Sequence, residues 1–189
     1  LARMHRTTAA SFGNPPPGTG AEMGWVGLLP VPFGDHATWP EHYVHDRLRP
    51  AAAAAVSSGG LDPDDESAVR RLCDRLLADP LKITGPGGPP AVIHGDLWSG
   101  NVLWVADGAV LIDPAAVSGH PETDLAMLHL FGLPHLAHFL EGYQEVSVLD
   151  PGWPTRIPLH QVFPLLVHAA LFGGSYGPAA ARAAVSALA

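Results

Sequence analysis

The chain has 189 residues, of which 47% are hydrophobic and 15% are charged, and its formal net charge at pH 7 is −8. This length can bury a substantial core, and the low charged fraction excludes a disordered chain. The negative charge argues against a general nucleic-acid binder, which needs a basic surface. No apolar stretch is long enough to span a bilayer, so we expect no membrane partner.

The cysteine content and the start of the chain indicate its compartment and its completeness. The single cysteine, Cys73, excludes an internal disulfide framework, and no signal peptide is visible, which together favour a cytoplasmic protein. The first residue is Leu1, not Met, and the opening segment resembles an internal segment of a longer chain. We therefore expect a fragment of a longer polypeptide or an engineered truncation.

The N-terminal part of the chain is predicted to alternate between loops and helices. Residues 1–10 read as the end of a helix, whereas residues 11–20 and 24–38 are rich in proline and glycine and are predicted to be irregular. A helix is expected over about residues 41–56, with a break or kink near Pro50.

The next helix begins with an acidic cap at Asp62 and stops at Pro80. Its apolar side chains recur at helical spacing and predict a buried stripe, which consists of Val69, Leu72, Cys73, Leu76 and Leu77.

Three short strands are predicted in the middle of the chain, over residues 91–94, 102–105 and 109–112, with a hairpin turn at Asp107-Gly108. Helices should follow from about residue 122 and over residues 134–147, 155–172 and 178–189. The predicted fold class is α+β: a mostly helical body with a small β-hairpin that carries the acidic residues. Several large apolar residues are predicted to be core, among them Trp25, Trp39, Trp153, Phe163 and Phe172.

The most informative segment is residues 94–101, His-Gly-Asp-Leu-Trp-Ser-Gly-Asn, between two strand-like runs. An Asp, an Asn five residues later and an Asp twelve residues beyond that are typical of a phosphoryl-transfer loop. In such a loop Asp96 would accept the proton of the attacking hydroxyl, while Asn101 and Asp113 would offer the oxygen ligands that Mg²⁺ prefers. His94 would organise the loop through a hydrogen bond to backbone near Asp113. The alternative is that Asp96 and Asn101 are ordinary turn formers.

Asp124 lies in the first turn of a predicted helix, and two interpretations remain open. It could cap that helix, or its carboxylate could reach back to hydrogen-bond the backbone of the catalytic loop. Neither role would make it a catalyst.

The signature at residues 94–101 resembles that of the fructosamine kinase family, within the aminoglycoside-phosphotransferase and protein-kinase-like group. The Trp-Ser-Gly insertion separates it from general small-molecule kinases. The resemblance extends along nearly the whole chain, through residues 1–8, 47–50, 111–115, 124–127, 143–146, 149–153 and 171–176.

This resemblance implies an ATP- and Mg²⁺-dependent kinase that phosphorylates a sugar hydroxyl of a ketoamine formed by glycation. It implies a protein-kinase-like C-terminal lobe over residues 1–189, with Asp96 as the catalytic base and Asn101 and Asp113 as metal ligands. Trp98 and His168 are candidate substrate contacts. Val167 and Ala170 stand where the family usually has polar asparagines, which leaves the identity of the substrate open.

The sequence does not contain the strand-borne lysine and glycine-rich loop that hold nucleotide phosphates in such enzymes. The single lysine, Lys82, lies in a segment bounded by proline and glycine, and Met23 stands where the third glycine after Gly18 and Gly20 should be. We expect the N-terminal nucleotide-binding lobe to be absent and the isolated chain to be inactive. The missing lobe, or self-association over the surface it would cover, is the expected partner contact.

Two alternatives remain. The chain could belong to another small-molecule kinase that acts on an aminoglycoside, on choline or on a different hydroxyl compound. It could also be a non-catalytic, pseudokinase-like module. Retention of all three of Asp96, Asn101 and Asp113 argues against the second alternative.

Overall fold

The computed structural model describes residues 1–106 and 108–189, and within them helices dominate an α+β fold. The helices are α1 Ala2–His5, α2 Trp39–His42, α3 Arg49–Ser57, α4 Pro63–Ala78, α5 Leu81–Thr84, α6 Glu122–Phe131, α7 Leu136–Gln144, α8 Trp153–Phe172 and α9 Tyr176–Ala187. A π-helical turn covers Tyr43–Leu48, and a 3₁₀ turn covers Ser99–Asn101. None of the described helices is long and apolar enough to cross a bilayer.

The described strands form three separate antiparallel pairs, where the sequence predicted a single hairpin. They are β1 Met23–Val26 with β2 Leu29–Pro32, β3 Ala91–Ile93 with β6 Val117–Gly119, and β4 Val102–Val105 with β5 Gly108–Leu111. Of the predicted Asp107-Gly108 turn, Asp107 lies outside the described residues, while Gly108 pairs with Val105.

The prediction that residues 24–38 are irregular was wrong for the β1–β2 hairpin. Gly27 turns the chain with φ +57°, and Val31 is buried in the core. Pro30 and Pro32 had argued against a strand, but a two-stranded ribbon leaves each strand with an unpaired edge where proline is tolerated.

The helix predicted over residues 41–56 is present, and its irregular part lies where the proline predicted it. Thr38 and Glu41 form a reciprocal capping box at the start of α2. The π-helical turn Tyr43–Leu48 then leads into α3, in which Pro50 lacks the N–H that a regular ladder needs.

Helix α4 forms as predicted. The Asp62 side chain accepts hydrogen bonds from the backbone N–H groups of Asp64 and Asp65, at 3.0 and 2.9 Å. The apolar stripe is buried except at Leu77, which is 39% exposed because it lies at the edge of the stripe. Each fully buried leucine here stabilises the fold by roughly 1.5–3 kcal/mol.

The largest apolar cluster is built mainly from α3, α4, α8 and α9, with the β1–β2 hairpin against it. Trp39 and Phe163 belong to it, as predicted. Trp25 and Phe172 do not, since they are 61% and 69% exposed. Phe172 was predicted to be core, but it is the last residue of α8 and lies at the rim of a cavity.

The pairing of β3 with β6 positions the loop that carries the motif. Ile93, the last residue of β3, pairs with Val117, the first residue of β6, so the segment that leaves β3 and the segment that enters β6 run side by side. The N-terminal segment also contacts β3, because the Val92 N–H donates to Thr7 O at 3.0 Å.

Candidate active site

The loop of residues 94–101 begins where β3 ends and is closed by the 3₁₀ turn. Gly95 has φ +79°, and a Cβ at this position would overlap the carbonyl oxygen of Ala115. The loop therefore packs directly on the backbone that leads from β5 to β6, and only glycine fits there.

His94 joins the loop to the end of β5. Its Nε2 lies 2.9 Å from Ile112 O, so that nitrogen carries the proton and donates to the carbonyl. Its Nδ1 accepts from the Asp96 N–H at 3.3 Å. The ring is buried, and it fixes both the approach of the two segments and the backbone of Asp96.

Asp124 holds the start of the loop from the first turn of α6. Its Oδ2 accepts from the His94 N–H at 2.8 Å, and its Oδ1 accepts from the Gly95 N–H at 2.9 Å. Its side chain makes no cap contact, and Pro121 stands at the cap position of α6. Of the two interpretations of Asp124, the contacts are those of the loop-binding one.

His5 is a residue of this site that sequence reasoning missed. Its Nε2 lies 2.9 Å from Asp124 Oδ2, and its Nδ1 lies 2.8 Å from the hydroxyl of Tyr143. All three side chains are buried. Asp124 thus has a third hydrogen-bond partner, and α1 and α7 are connected through it to the loop of residues 94–101.

Asn101 and Asp96 are in direct contact. Asn101 Nδ2 donates to Asp96 O at 2.8 Å and lies 3.4 Å from Asp96 Oδ2. Because the amide nitrogen faces Asp96, the amide oxygen is turned away and is available as a ligand. Burial raises the pKa of the Asp96 carboxyl, while the neighbouring His94 and His168 oppose that effect.

Asp113 lies next to a residue that bonds to both ends of the loop. The Ile112 N–H donates to Asn101 O at 3.1 Å, and the Ile112 carbonyl accepts from His94. Asp113 itself has φ +51°, an uncommon conformation for a residue with a side chain, and it is exposed. The backbone around Asp113 therefore lies against the loop that carries Asp96 and Asn101.

A cavity of about 600 Å³ opens beside Asp96. Trp98 and His168 both line it, and the Trp98 ring lies over Gly100, where a Cβ would overlap it. His168 Nδ1 donates to Pro164 O at 2.8 Å, and aromatic rings surround it at centroid distances of 4.7–5.5 Å, namely those of Phe131, Tyr176 and Phe172.

A second polar cluster lies at the start of α6, beside Trp39. His120, Glu122 and His160 are buried, with ligand-type atoms within 4.8 Å of one another. Arg156 already neutralises this site, because its Nε and Nη2 donate to the two Glu122 oxygens at 2.8 and 2.5 Å. Glu122 therefore has a cation of its own, which argues against a metal ion there.

The pKa values of this second cluster reflect its burial and its internal pairing. Burial lowers the pKa of His120 to about 3 and also lowers that of His160. Burial by itself would raise the pKa of Glu122, but hydrogen bonds from Arg156 and His160 lower it to about 2.

Two further pairs of histidines lie at helical spacing, His42 with His45 and His135 with His138. His42 is buried and lies 2.7 Å from Asp46 Oδ2, whereas His45 is exposed. His135 and His138 are both exposed. The single lysine, Lys82, lies on α5 in an exposed ion pair with Asp79 and does not line the cavity beside Asp96.

The structure is an α+β protein in which Asp96 lines a cavity and Asn101 contacts Asp96. Comparison with known proteins gives the family: the fructosamine kinase model matches residues 1–189, and the chain belongs to the fructosamine kinase family.

Its relatives are similar over most of this chain. A probable ketoamine kinase from Enterococcus faecium is 34% identical, and the match covers 94% of this chain and 61% of that protein. The ketosamine-3-kinase of Mus musculus is 31% identical over 79% of this chain and 47% of its own length. The crystal structure of a candidate fructosamine-3-kinase from Thermobifida fusca is 47% identical, with a TM-score of 0.89 over 99% of this chain and 62% of that one. The chain thus spans about three fifths of the E. faecium relative.

Proposed function

We propose that this chain is the catalytic, C-terminal lobe of a protein-kinase-like enzyme that transfers phosphate from ATP to a sugar hydroxyl of a ketoamine. The observation that carries the proposal is the contact of Asn101 with Asp96 in one loop beside a cavity, in a chain of the fructosamine kinase family. Phosphoryl transfer asks for such positioning and charge compensation more than for covalent chemistry.

Asp96 is the proposed base. It stands in the wall of the cavity, so a hydroxyl bound there can approach its carboxylate. The proton passes from the acceptor oxygen to the Asp96 carboxylate as that oxygen bonds to phosphorus and the bond to the leaving diphosphate breaks.

Asn101 and Asp113 are the proposed Mg²⁺ ligands, and their chemistry fits a hard cation. The Asn101 amide offers its oxygen because its nitrogen is held by Asp96, and the Asp113 carboxylate is exposed. When bound, Mg²⁺ would neutralise charge on the phosphates of ATP. His94, Asp124 and His5 keep the loop in place through the hydrogen bonds described above.

The nucleotide-binding lobe belongs to the proposal as well. Lys82, the single lysine, is paired with Asp79 away from the cavity, which leaves this chain without a lysine beside Asp96. We therefore expect the chain by itself to be inactive. The lobe's docking surface, or self-association over that surface, stays a prediction.

The test is a phosphotransfer assay with ATP, Mg²⁺ and three acceptors: a ketoamine, an aminoglycoside and choline. It is run on this chain alone and on a fusion that adds the remaining segment of the Thermobifida fusca homologue. We expect turnover of the ketoamine by the fusion and none by the chain alone. Turnover of only the other two acceptors would favour the alternative small-molecule kinases.

Metal binding provides a second readout that does not require turnover. Mn²⁺, which accepts the same oxygen ligands, should broaden the NMR signals of the loop at residues 94–101, and the double variant N101A/D113A should abolish the effect. A fusion that is inactive on all three acceptors and does not bind Mn²⁺ would favour the non-catalytic module.

A further inference from the structure

The cavity beside Asp96 is apolar for a site that is to receive a sugar derivative. Eight of the lining residues have hydrocarbon or thioether side chains, and these include, from two helices, Met127, Phe131, Phe163, Val167, Leu171 and Phe172. Their elements are α6 and α8, so the apolar wall is built by two packed helices that share a large contact.

Two of the polar side chains in the wall already make a hydrogen bond within the protein. The hydroxyl of Thr123 lies 3.0 Å from His160 Nδ1, and His168 Nδ1 donates to Pro164 O. The Thr123 hydroxyl and His168 Nδ1 are therefore already engaged, and the Asp96 carboxylate is the acidic group that the wall presents.

The described residues of the cavity wall include an acidic side chain but no strongly basic one. Among the described residues that line it there is Asp96 but neither lysine nor arginine. A carboxylate brought between α6 and α8 would lose its hydration without gaining a lysine or arginine partner, and that loss is large. The one imidazole among the described lining residues, that of His168, is already hydrogen-bonded to Pro164 O through its Nδ1.

We infer that the acceptor is a ketoamine whose amine portion is an apolar aromatic or branched alkyl group without a carboxylate. The inference rests on the proposed function and names its substrate class. The sugar hydroxyl lies at Asp96, while the substituent from the parent amine fills the space between α6 and α8. The volume of about 600 Å³ lies in the usual range for a small-molecule site.

Among the lining residues, Val167 is the one we expect to contribute most to the preference for an apolar substituent. It lines the cavity, and the family resemblance led us to expect a polar side chain there. Ala170, the other position where a polar residue was expected, is absent from the wall. The apolar character at position 167 therefore bears directly on the ligand.

The experiment compares two ketoamines that differ in one group: the fructose derivatives of phenethylamine and of phenylalanine. Only the second carries a carboxylate beside the amine. Dissociation constants are measured by calorimetry on this chain, which carries the lining residues named above, and the aminoglycoside and choline are titrated alongside. We expect the phenethylamine derivative to bind about tenfold or more tightly than the phenylalanine derivative.

Variants separate the cavity from the rest of the surface. Phe172→Ala removes an exposed ring at the rim of the cavity. It should weaken binding of the phenethylamine derivative by about tenfold without unfolding the chain. Val167→Asn should reduce the preference between the two derivatives. Trp104→Ala removes another exposed ring, outside the cavity, and should leave both constants unchanged.

The outcomes distinguish this inference from the proposed function. Equal or tighter binding of the phenylalanine derivative overturns the inference and leaves a ketoamine kinase in place. Binding of choline or the aminoglycoside, with neither ketoamine bound, overturns both. If no compound binds, or if F172A and W104A behave alike, the cavity is not the acceptor site and the inference fails.

Discussion

Two clusters of acidic residues and histidines each include one acid from the first turn of α6, Asp124 in the first and Glu122 in the second. They differ in what their polar atoms contact. In the first cluster, at the loop of residues 94–101, Asp124 of α6 is buried and has three hydrogen-bond partners, while Asp96 lines a cavity and Asp113 is exposed. In the second cluster, Arg156 and Glu122 neutralise each other in the interior.

The difference separates a structural cluster from a candidate catalytic one. A buried ion pair whose charges neutralise each other has no free charge for a ligand, even when neighbouring histidines make it resemble a metal site. A loop whose backbone is held by hydrogen bonds from Asp124 and whose Asp96 lines a cavity can contact a ligand. Substitutions should therefore change stability in one cluster and activity in the other.

The largest effect is expected for Asp96→Asn in the active fusion. Loss of the base should lower kcat by roughly 10²- to 10⁴-fold. Because burial raises the pKa of this carboxyl, a neutral amide should not destabilise the fold. Steady-state kinetics and urea denaturation measure the two effects. Asp74→Asn, at an exposed acid on α4, is the control, and unchanged turnover in D96N would remove Asp96 as the base.

Arg156→Leu should show the opposite behaviour. It leaves Glu122 buried without its cation, which costs about 3–5 kcal/mol of unfolding free energy. Chemical denaturation measures this, and Arg75→Leu is the control, since its pair with Asp79 is exposed and contributes about 1 kcal/mol or less. Equal losses in both variants would show that the buried cluster is not structural.

The second cluster also predicts how stability depends on pH. The pKa of folded His120 is about 3, so below pH 6.5 the unfolded chain takes up a proton that the folded chain does not. Glu122, with a folded pKa of about 2, acts in the same direction below its ordinary value of 4.5. Acid therefore favours unfolding, by about 3 kcal/mol between pH 6.5 and pH 4 from His120.

Unfolding free energies measured across this range test the prediction. In His120→Asn the slope between pH 6.5 and pH 4.5 should be reduced, because one of the titrating groups is gone. A slope identical to that of the unaltered chain would assign the pH dependence to other residues.

The smallest effect is expected at His5, which supports the loop of residues 94–101 through Asp124. His5→Leu leaves Asp124 and Tyr143 each without one buried partner, at a cost of about 1–3 kcal/mol. Amide hydrogen exchange at His94 and Gly95 should become faster, since both N–H groups donate to Asp124. His138→Leu, at an exposed histidine, is the matched control, and equal protection in both variants would contradict a role for His5.

Much of the fold followed from local sequence patterns. The cap at Asp62, the irregular turn before Pro50 and the strands on either side of the motif depend on neighbouring residues, and each was predicted. The β1–β2 hairpin was missed because Pro30 and Pro32 disfavour a strand unless its edge is free, and that depends on pairing.

In the site, too, features made by consecutive residues were predicted, whereas contacts between residues far apart in the chain were not. Residues 94–101 are consecutive, so their spacing alone indicates a phosphoryl-transfer loop. His5 was missed because its partners Asp124 and Tyr143 lie 119 and 138 positions away. No spacing in the sequence connects such residues.

By itself the sequence determined the helices, the motif and the resemblance to one family, because caps, turns and a contiguous loop depend on interactions between near neighbours. Only the tertiary structure decided which acids face a cavity, which are neutralised inside, and that the wall beside Asp96 is apolar. Those properties depend on how α6 and α8 pack, and packing brings together side chains that are far apart in the chain.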